Sequence, residues 1–200
     1  MPPRLPPVLT ELDLPDAELQ AAALDGQLYA VGGCWRSIAE IDDPVGRATA
    51  IAHALGGRVI AAEATAAWVW GARGAAPLPH RGLVTARTRL KHVAPGVTVR
   101  QVVIDDDEVQ MLGGATVTTP VRTLVDLARL GEWRPRDQAA ARDLVVLHHI
   151  DIDDAVRLMD RREKVSHRLR ALSRLSSVVP SLAPPSPSSA SEPSSGVSRH

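Results

Sequence analysis

The residues able to do chemistry are few, and each has a quieter role open to it. Cys34 could act as a nucleophile only beside a base and a group to orient that base, and its neighbours supply neither. It reads as a small apolar residue on a strand. His148 and His149, followed by Asp151, Asp153 and Asp154, are of ligand type. Adjacent helical side chains point about 100° apart, however, and the i, i+4 histidine pair of a helical zinc site is absent. They read as solvated positions at a helix junction. The run Asp105-Asp106-Asp107-Glu108 lacks the glycine and alternating spacing of a calcium loop, and reads as a charged turn between strands. Arg142 and His148 enclose five residues, an arginine–histidine spacing that some ribonucleases use and that chance often supplies. No E-x-K pattern and no phosphate-cradling glycine loop occurs. The expectation is no catalytic residue, no cofactor and no metal. Arg122 and Asp126 stand four apart on one helix face, within ion-pair reach. An exposed pair of that kind contributes a few tenths of a kcal/mol.

The 200 residues suffice for one ordinary domain with a small appendage. Apolar residues make up 44% and charged residues 23%, as in soluble globular chains. One cysteine excludes an internal disulfide. No apolar run reaches the roughly 18 residues of a membrane span, and the proline-broken start does not resemble a signal peptide. A cytoplasmic location is therefore expected. Formal charge is zero, from 23 bases and 23 acids, but it is segregated. Leu5 to Trp35 carries five acids and no base, whereas Arg157 to Arg174 carries seven bases and two acids.

Elements follow from punctuation and periodicity. Pro15, Asp16 and Glu18 suit a first helical turn, with Leu19, Ala22 and Ala23 as its apolar stripe and Gly26 as its stop. Two short runs around Gly32-Gly33 read as a hairpin, so helix and hairpin together look like the second half of a winged-helix module. Pro44 opens a helix with Ala48, Ile51, Ala52 and Leu55 on one face. Residues 58–61 form a strand or a helix lead-in, and 63–70 a short apolar helix ended by Gly71. Residues 82–85 and 97–104 are strands, and 109–112 and 115–118 a second hairpin around Gly113-Gly114. Thr119 caps a helix that starts at Pro120, with Val121, Leu124, Val125 and Ala128 on one face. Two or three helices follow to Leu175. In the last, Leu158, Val165, Leu169 and Leu172 would make an apolar stripe, and Arg157, Arg161, Lys164 and Arg168 a basic one.

The class expected is α+β. A partial winged-helix-like element (14–41) follows an extended proline-rich lead (1–13) and packs with a mixed α/β domain ending in helices (42–175). The last segment, 176–200, holds ten serines and five prolines and is expected to be a disordered tail. Affinity for DNA rests largely on Lys and Arg, so the acidic helix at 16–25 would be repelled by a groove. The basic stripe at 157–168 is the candidate partner or nucleic-acid surface.

The stretch Val117-Thr118-Thr119-Pro120-Val121-Arg122-Thr123-Leu124-Val125-Asp126-Leu127-Ala128 resembles the V-T-T-P-x-R-T-x-x-D-L-A signature of AbiEi-like antitoxins of type IV toxin–antitoxin systems. Glu63 to Gly71, with Trp68, Trp70 and Gly71, resembles that family's small-residue helix ending in W-G. Val97 to Leu112 is similar to the strand and acidic turn before the signature, and Leu24 to Val31 to a winged-helix wing. The resemblance implies a non-catalytic regulatory protein that counters a nucleotidyltransferase-like toxin and regulates its own operon. In it Arg122 and Asp126 would position the signature helix and Thr119 would cap it. The front departs from the pattern, being short and acidic where the family carries further helices and a basic surface. A DNA-binding regulator using the basic C-terminal helix, without antitoxin activity, is the alternative.

Overall fold

The computed structural model describes residues 6–90, 92–161 and 168–178, and these form an α+β fold. Helix α1 (Asp16–Leu24) starts at Pro15 with two acids in its first turn, where they favour the positive end of the helix dipole. It stops as its glycine demands. Gly26 takes φ 71°, its N–H donates to the Ala23 carbonyl and the Gln27 N–H to that of Ala22, the double bond of a left-handed helix end. Strands β1 (Leu28–Val31) and β2 (Cys34–Ser37) then pair antiparallel through Gly32 and Gly33, both at positive φ. The lead is not simply extended. Leu9 exchanges both backbone bonds with Trp35 on the far side of β2, after which the Asp13 carboxylate accepts from the N–H and hydroxyl of Thr10 and folds the chain back. Leu9, Leu19 and Leu28 make a small core of their own.

Helix α2 (Pro44–Leu55) has Pro44 in its first turn, and the Asp43 carboxylate accepts from the Gly46 N–H at 2.7 Å. Its small residues let other chain segments come close. A Cβ at Gly32 would stand 3.2 Å from the Ile51 side chain, and one at Gly113 would collide with the Val45 carbonyl oxygen. Both hairpin turns therefore press on the same helix. Cys34, buried as expected, donates its thiol to the Ala50 carbonyl, and burial pushes that thiol's pKa up.

Strands β3 (Ile60–Ala61), β4 (His80–Thr85), β5 (Val97–Val102), β6 (Val109–Leu112) and β7 (Ala115–Thr118) form a five-stranded sheet in the order β5-β4-β3-β7-β6. The ambiguous segment 58–61 is thus the two-residue centre of the sheet, parallel to β7 and antiparallel to β4. Alternation gives the sheet two faces. Ala61, Val84, Val97, Val99, Ala115 and Val117 join the main core. Ile60 and Leu83 turn the other way, into a smaller cluster with Ala62, against which Val102, Ile104 and Val109 pack. The expected strand 97–104 ends at Val102 because its last residues leave the ladder to close that cluster.

Helices α3 (Glu63–Val69), α4 (Pro120–Ala128), α5 (Pro135–Leu147), α6 (Ile152–Asp160) and α7 (Arg168–Val178) complete the described residues. Helix α4 does not present one apolar stripe, since every residue from Arg122 to Ala128 is buried. The predicted last stripe holds in part: Leu158 is buried on α6 and Leu172 packs partly buried against the core from α7, but Leu169 is 82% exposed on α7, whose buried face is Ala171, Leu175 and Val178. Val165 lies outside the described residues. Residues 176–178 belong to α7 rather than to a tail, and the remainder of that segment lies outside the described residues. No helix among the described residues is long and apolar enough to cross a membrane.

The close approach at Gly113 predicts a graded pair of alanine variants. Gly33 has φ 89°, and nothing lies within 4 Å of the place a Cβ would take, so Gly33→Ala should cost only the left-handed backbone penalty of about 1 kcal/mol. Gly113→Ala adds overpacking against α2 and should cost about 3 kcal/mol. Urea unfolding of both variants measures the difference, and equal midpoints would contradict the packing described.

Candidate functional site

The segment 117–128 is where the sequence concentrates its polar residues on a helix start, and the structure closes it inward. Thr119 is the N-cap of α4, its hydroxyl accepting from the Arg122 N–H at 3.3 Å. Pro120 follows at the position where a missing N–H costs nothing. Thr123 ties the turn back, donating its hydroxyl to the Thr119 carbonyl at 2.8 Å and lying 2.8 Å from the Thr118 hydroxyl. The Thr118 carbonyl in turn accepts from the Trp70 indole N–H at 2.8 Å, 48 residues away.

Arg122 is the centre of this arrangement. It is 2% exposed, as is Asp126, and Glu108 is 1% exposed. Its Nε donates to Asp126 Oδ2 at 3.0 Å and its Nη1 to Glu108 Oε2. The expectation of an exposed i, i+4 pair worth a few tenths of a kcal/mol is therefore overturned. The same helix geometry holds, but the pair lies in the core with a third partner. Nor is 105–108 only a charged turn. Asp106–Glu108 form one short 3-10 turn that swings Glu108 inward while Asp105 and Asp107 stay exposed. Burial drives the Asp126 carboxyl above its usual range, and the Arg122 charge works against that shift. Asp105, Asp107 and Glu108 approach one another closely enough to suggest a cation cage, but Glu108 is already bonded to Arg122.

Trp68 and Trp70 are placed by α3 and by Gly71, which has φ 86°. Arg47 forks onto both oxygens of Asp42, at 2.8 and 2.5 Å, donates to the Trp68 carbonyl at 2.7 Å, and lies over the Trp68 ring. Those bonds hold the Asp42 carboxyl below the usual carboxylate range. His148 is not the solvated residue expected of it. It ends α5, donates from Nε2 to the Trp70 carbonyl at 2.9 Å, and meets the Trp70 ring edge-on. His149 is exposed and takes φ 49°, the left-handed step after the helix.

The four C-terminal bases do not form one stripe. Arg157 and Arg168 lie on two different helices, and Arg161 caps the first. Arg157 pairs with Asp154, Arg161 with Asp107 at 2.6 Å, and Arg168 with Asp160 at 2.8 Å. Lys164 lies outside the described residues. The spacing of four, three and four assumes one helix, and the break after Asp160 removes that premise.

What sequence reading missed lies elsewhere. From Ala64 to Ile104 there is no Asp or Glu, while Arg73, Arg81, Arg87, Arg89, Lys91 and Arg100 occur there. Counting acids as well as bases along the chain would have found it. Part of this segment borders a polar cleft of about 450 Å³ whose charged lining is Arg73, Arg81, Arg134 and Arg136 with Glu63, Glu132 and Asp137. Glu63 has φ 51°, a strained position for a side-chain-bearing residue. Burial raises its carboxyl above the usual range despite Arg100 at 3.0 Å. A second, more apolar cleft of about 370 Å³ runs between the β1–β2 turn and residues 74–78.

No protein-family model matches the chain. No curated protein matches it either. Among solved structures, a crystal structure of the RV2827C protein from Mycobacterium tuberculosis is similar. It is 22% identical, with 86% of this chain and 71% of that chain covered, at a TM-score of 0.47.

The geometry orders three substitutions. Arg122→Met leaves buried carboxylates without their guanidinium and should cost about 3–5 kcal/mol. Asp126→Asn keeps an acceptor for Nε while removing a charge that burial disfavours, and should cost under about 1.5 kcal/mol. Thr119→Ala should cost about 1 kcal/mol. Thermal and urea melts give the order, and an Asp126→Asn loss as large as that of Arg122→Met would contradict it.

Proposed function

We propose that this chain is a non-catalytic, AbiEi-like regulatory or antitoxin protein of the cytoplasm, acting by binding rather than by transforming a substrate. It counters a nucleotidyltransferase-like toxin. One observation carries the reading. The segments that resemble the family lie far apart in sequence, yet their distinctive residues meet at one place. Trp70 of the W-G helix donates to Thr118 of the signature, and Glu108 of the acidic turn pairs with Arg122. Segments that depend on one another physically have a reason to occur together and in order. The signature residues then act as architecture, and the function belongs to the surface they hold up. The side chains best suited to catalysis are engaged elsewhere, Cys34 on the Ala50 carbonyl and His148 on the Trp70 carbonyl.

Co-expression with the product of the adjacent gene tests the proposal. The full chain should restore growth to cells expressing that protein. The Asp126→Asn variant should do so equally, while Arg122→Met should lose rescue in step with its loss of stability. Growth arrest unrelieved by a folded, well-expressed chain would end the antitoxin reading. Pull-down from the same cells reports whether the two proteins touch.

A further inference from the structure

We propose that the cleft between the start of α5 and β4 binds the phosphates of a nucleic-acid backbone, gripped by Arg81 from one wall and Arg136 from the other. The acids of this cleft are already engaged. Glu63 pairs with Arg100 at 3.0 Å, Glu132 with Arg134, and Asp137 with Arg73 at 3.5 Å. Asp137 also accepts from the Arg134 N–H at 3.2 Å, satisfying a backbone donor at the start of α5. Arg81 and Arg136 are exposed and have no ion-pair partner among the described residues. The cleft therefore keeps uncompensated positive charge on two walls.

Both arginines stand on fixed backbone. The Arg81 N–H donates to the Thr65 hydroxyl at 2.7 Å and its carbonyl accepts from the Ala62 N–H at 3.0 Å. Arg136 is the second residue of α5. A cation there opposes the helix dipole, whose N-terminal end favours anions, and it also repels the half-buried Arg73. An anion in the cleft relieves both conflicts at once. Guanidinium forks fit phosphate oxygens two at a time.

The ligand is a polymer backbone rather than a compact molecule. Among the described residues no aromatic side chain lines the cleft to hold a base. The same acid-free segment carries exposed Arg87 and Arg89 just past the end of β4, so positive charge extends along this strand beyond the cleft. Contacts to phosphate position a nucleic acid without reading its sequence. This proposal goes beyond the antitoxin reading, and its binding assay stands or falls independently of growth rescue.

Fluorescence anisotropy with the full chain tests it, using labelled 20-nucleotide single-stranded and duplex DNA over a salt series. Either DNA should bind, and Arg81→Glu/Arg136→Glu should weaken binding at least tenfold. The slope of log K against log salt should become shallower by about 2, one for each phosphate no longer neutralised. Arg157→Glu/Arg168→Glu should change neither. Circular dichroism melts accompany each variant, and Arg81→Gln/Arg136→Gln replaces the reversal if that variant unfolds, with weakening in the same direction. The proposal is overturned by no binding at low salt, by equal affinity in the double variant, by binding of ATP but not DNA, or by equal competition from polyglutamate.

Discussion

A guanidinium held in the core by two carboxylates sets the terms for the rest of this molecule. Arg122, Glu108 and Asp126 are all nearly inaccessible, and charges removed from water are tolerated only when their partners are correctly placed. Three elements must therefore arrive together: the short turn that delivers Glu108, the strand β7 that leads into the helix, and α4 itself. A core of aliphatic residues would accept many rearrangements of these pieces. A forked ion pair accepts few, which makes it a device for choosing one arrangement. Thr118, Thr123 and Trp70 extend the same demand to α3 through directional hydrogen bonds.

The second constraint is closeness. Helix α2 carries Gly46, Ala48, Ala50 and Ala52, and its neighbours approach to the backbone. Gly46 lies under the guanidinium of Arg36, which is 2% exposed and donates to the Ile41 carbonyl at 3.0 Å and the Tyr29 hydroxyl at 3.3 Å. With no phenylalanine in the chain and only five other aromatic residues, the interior is filled mostly by alanine, valine and leucine at short range around the rings of Trp68 and Trp70. Tight backbone contact is the means left to such a composition for excluding water.

Much of this was legible beforehand, for local reasons. Proline at helix starts, paired glycines at hairpin turns and the Thr119 cap are short-range signals, and each element they marked is present. Burial of charge was not legible, because four-residue spacing reads the same on a wet face as on a dry one. The inward turn of Glu108 depends on where β6 and β7 lie relative to α4, a tertiary fact. The C-terminal bases mislead because a helical spacing runs on through a break. The arginine cleft escapes sequence reading because its members are scattered over 64 residues, Arg73 to Arg136, and no short window contains them. A charge count that registers missing acids sees part of it, and only folding assembles the remainder.

The central strand of the large sheet is two residues long, while its flanks pair over four and six. A ladder with so narrow a waist cannot by itself make the two leaves behave as one body. Whatever keeps β4–β5 in step with β6–β7 has to travel through the helical layer, from α3 against the first leaf to α2 against the second. Amides at Ile60 and Ala61 thus sit at the seam where the sheet would first come apart, and cooperativity between its halves is a property of the helices rather than of the strands.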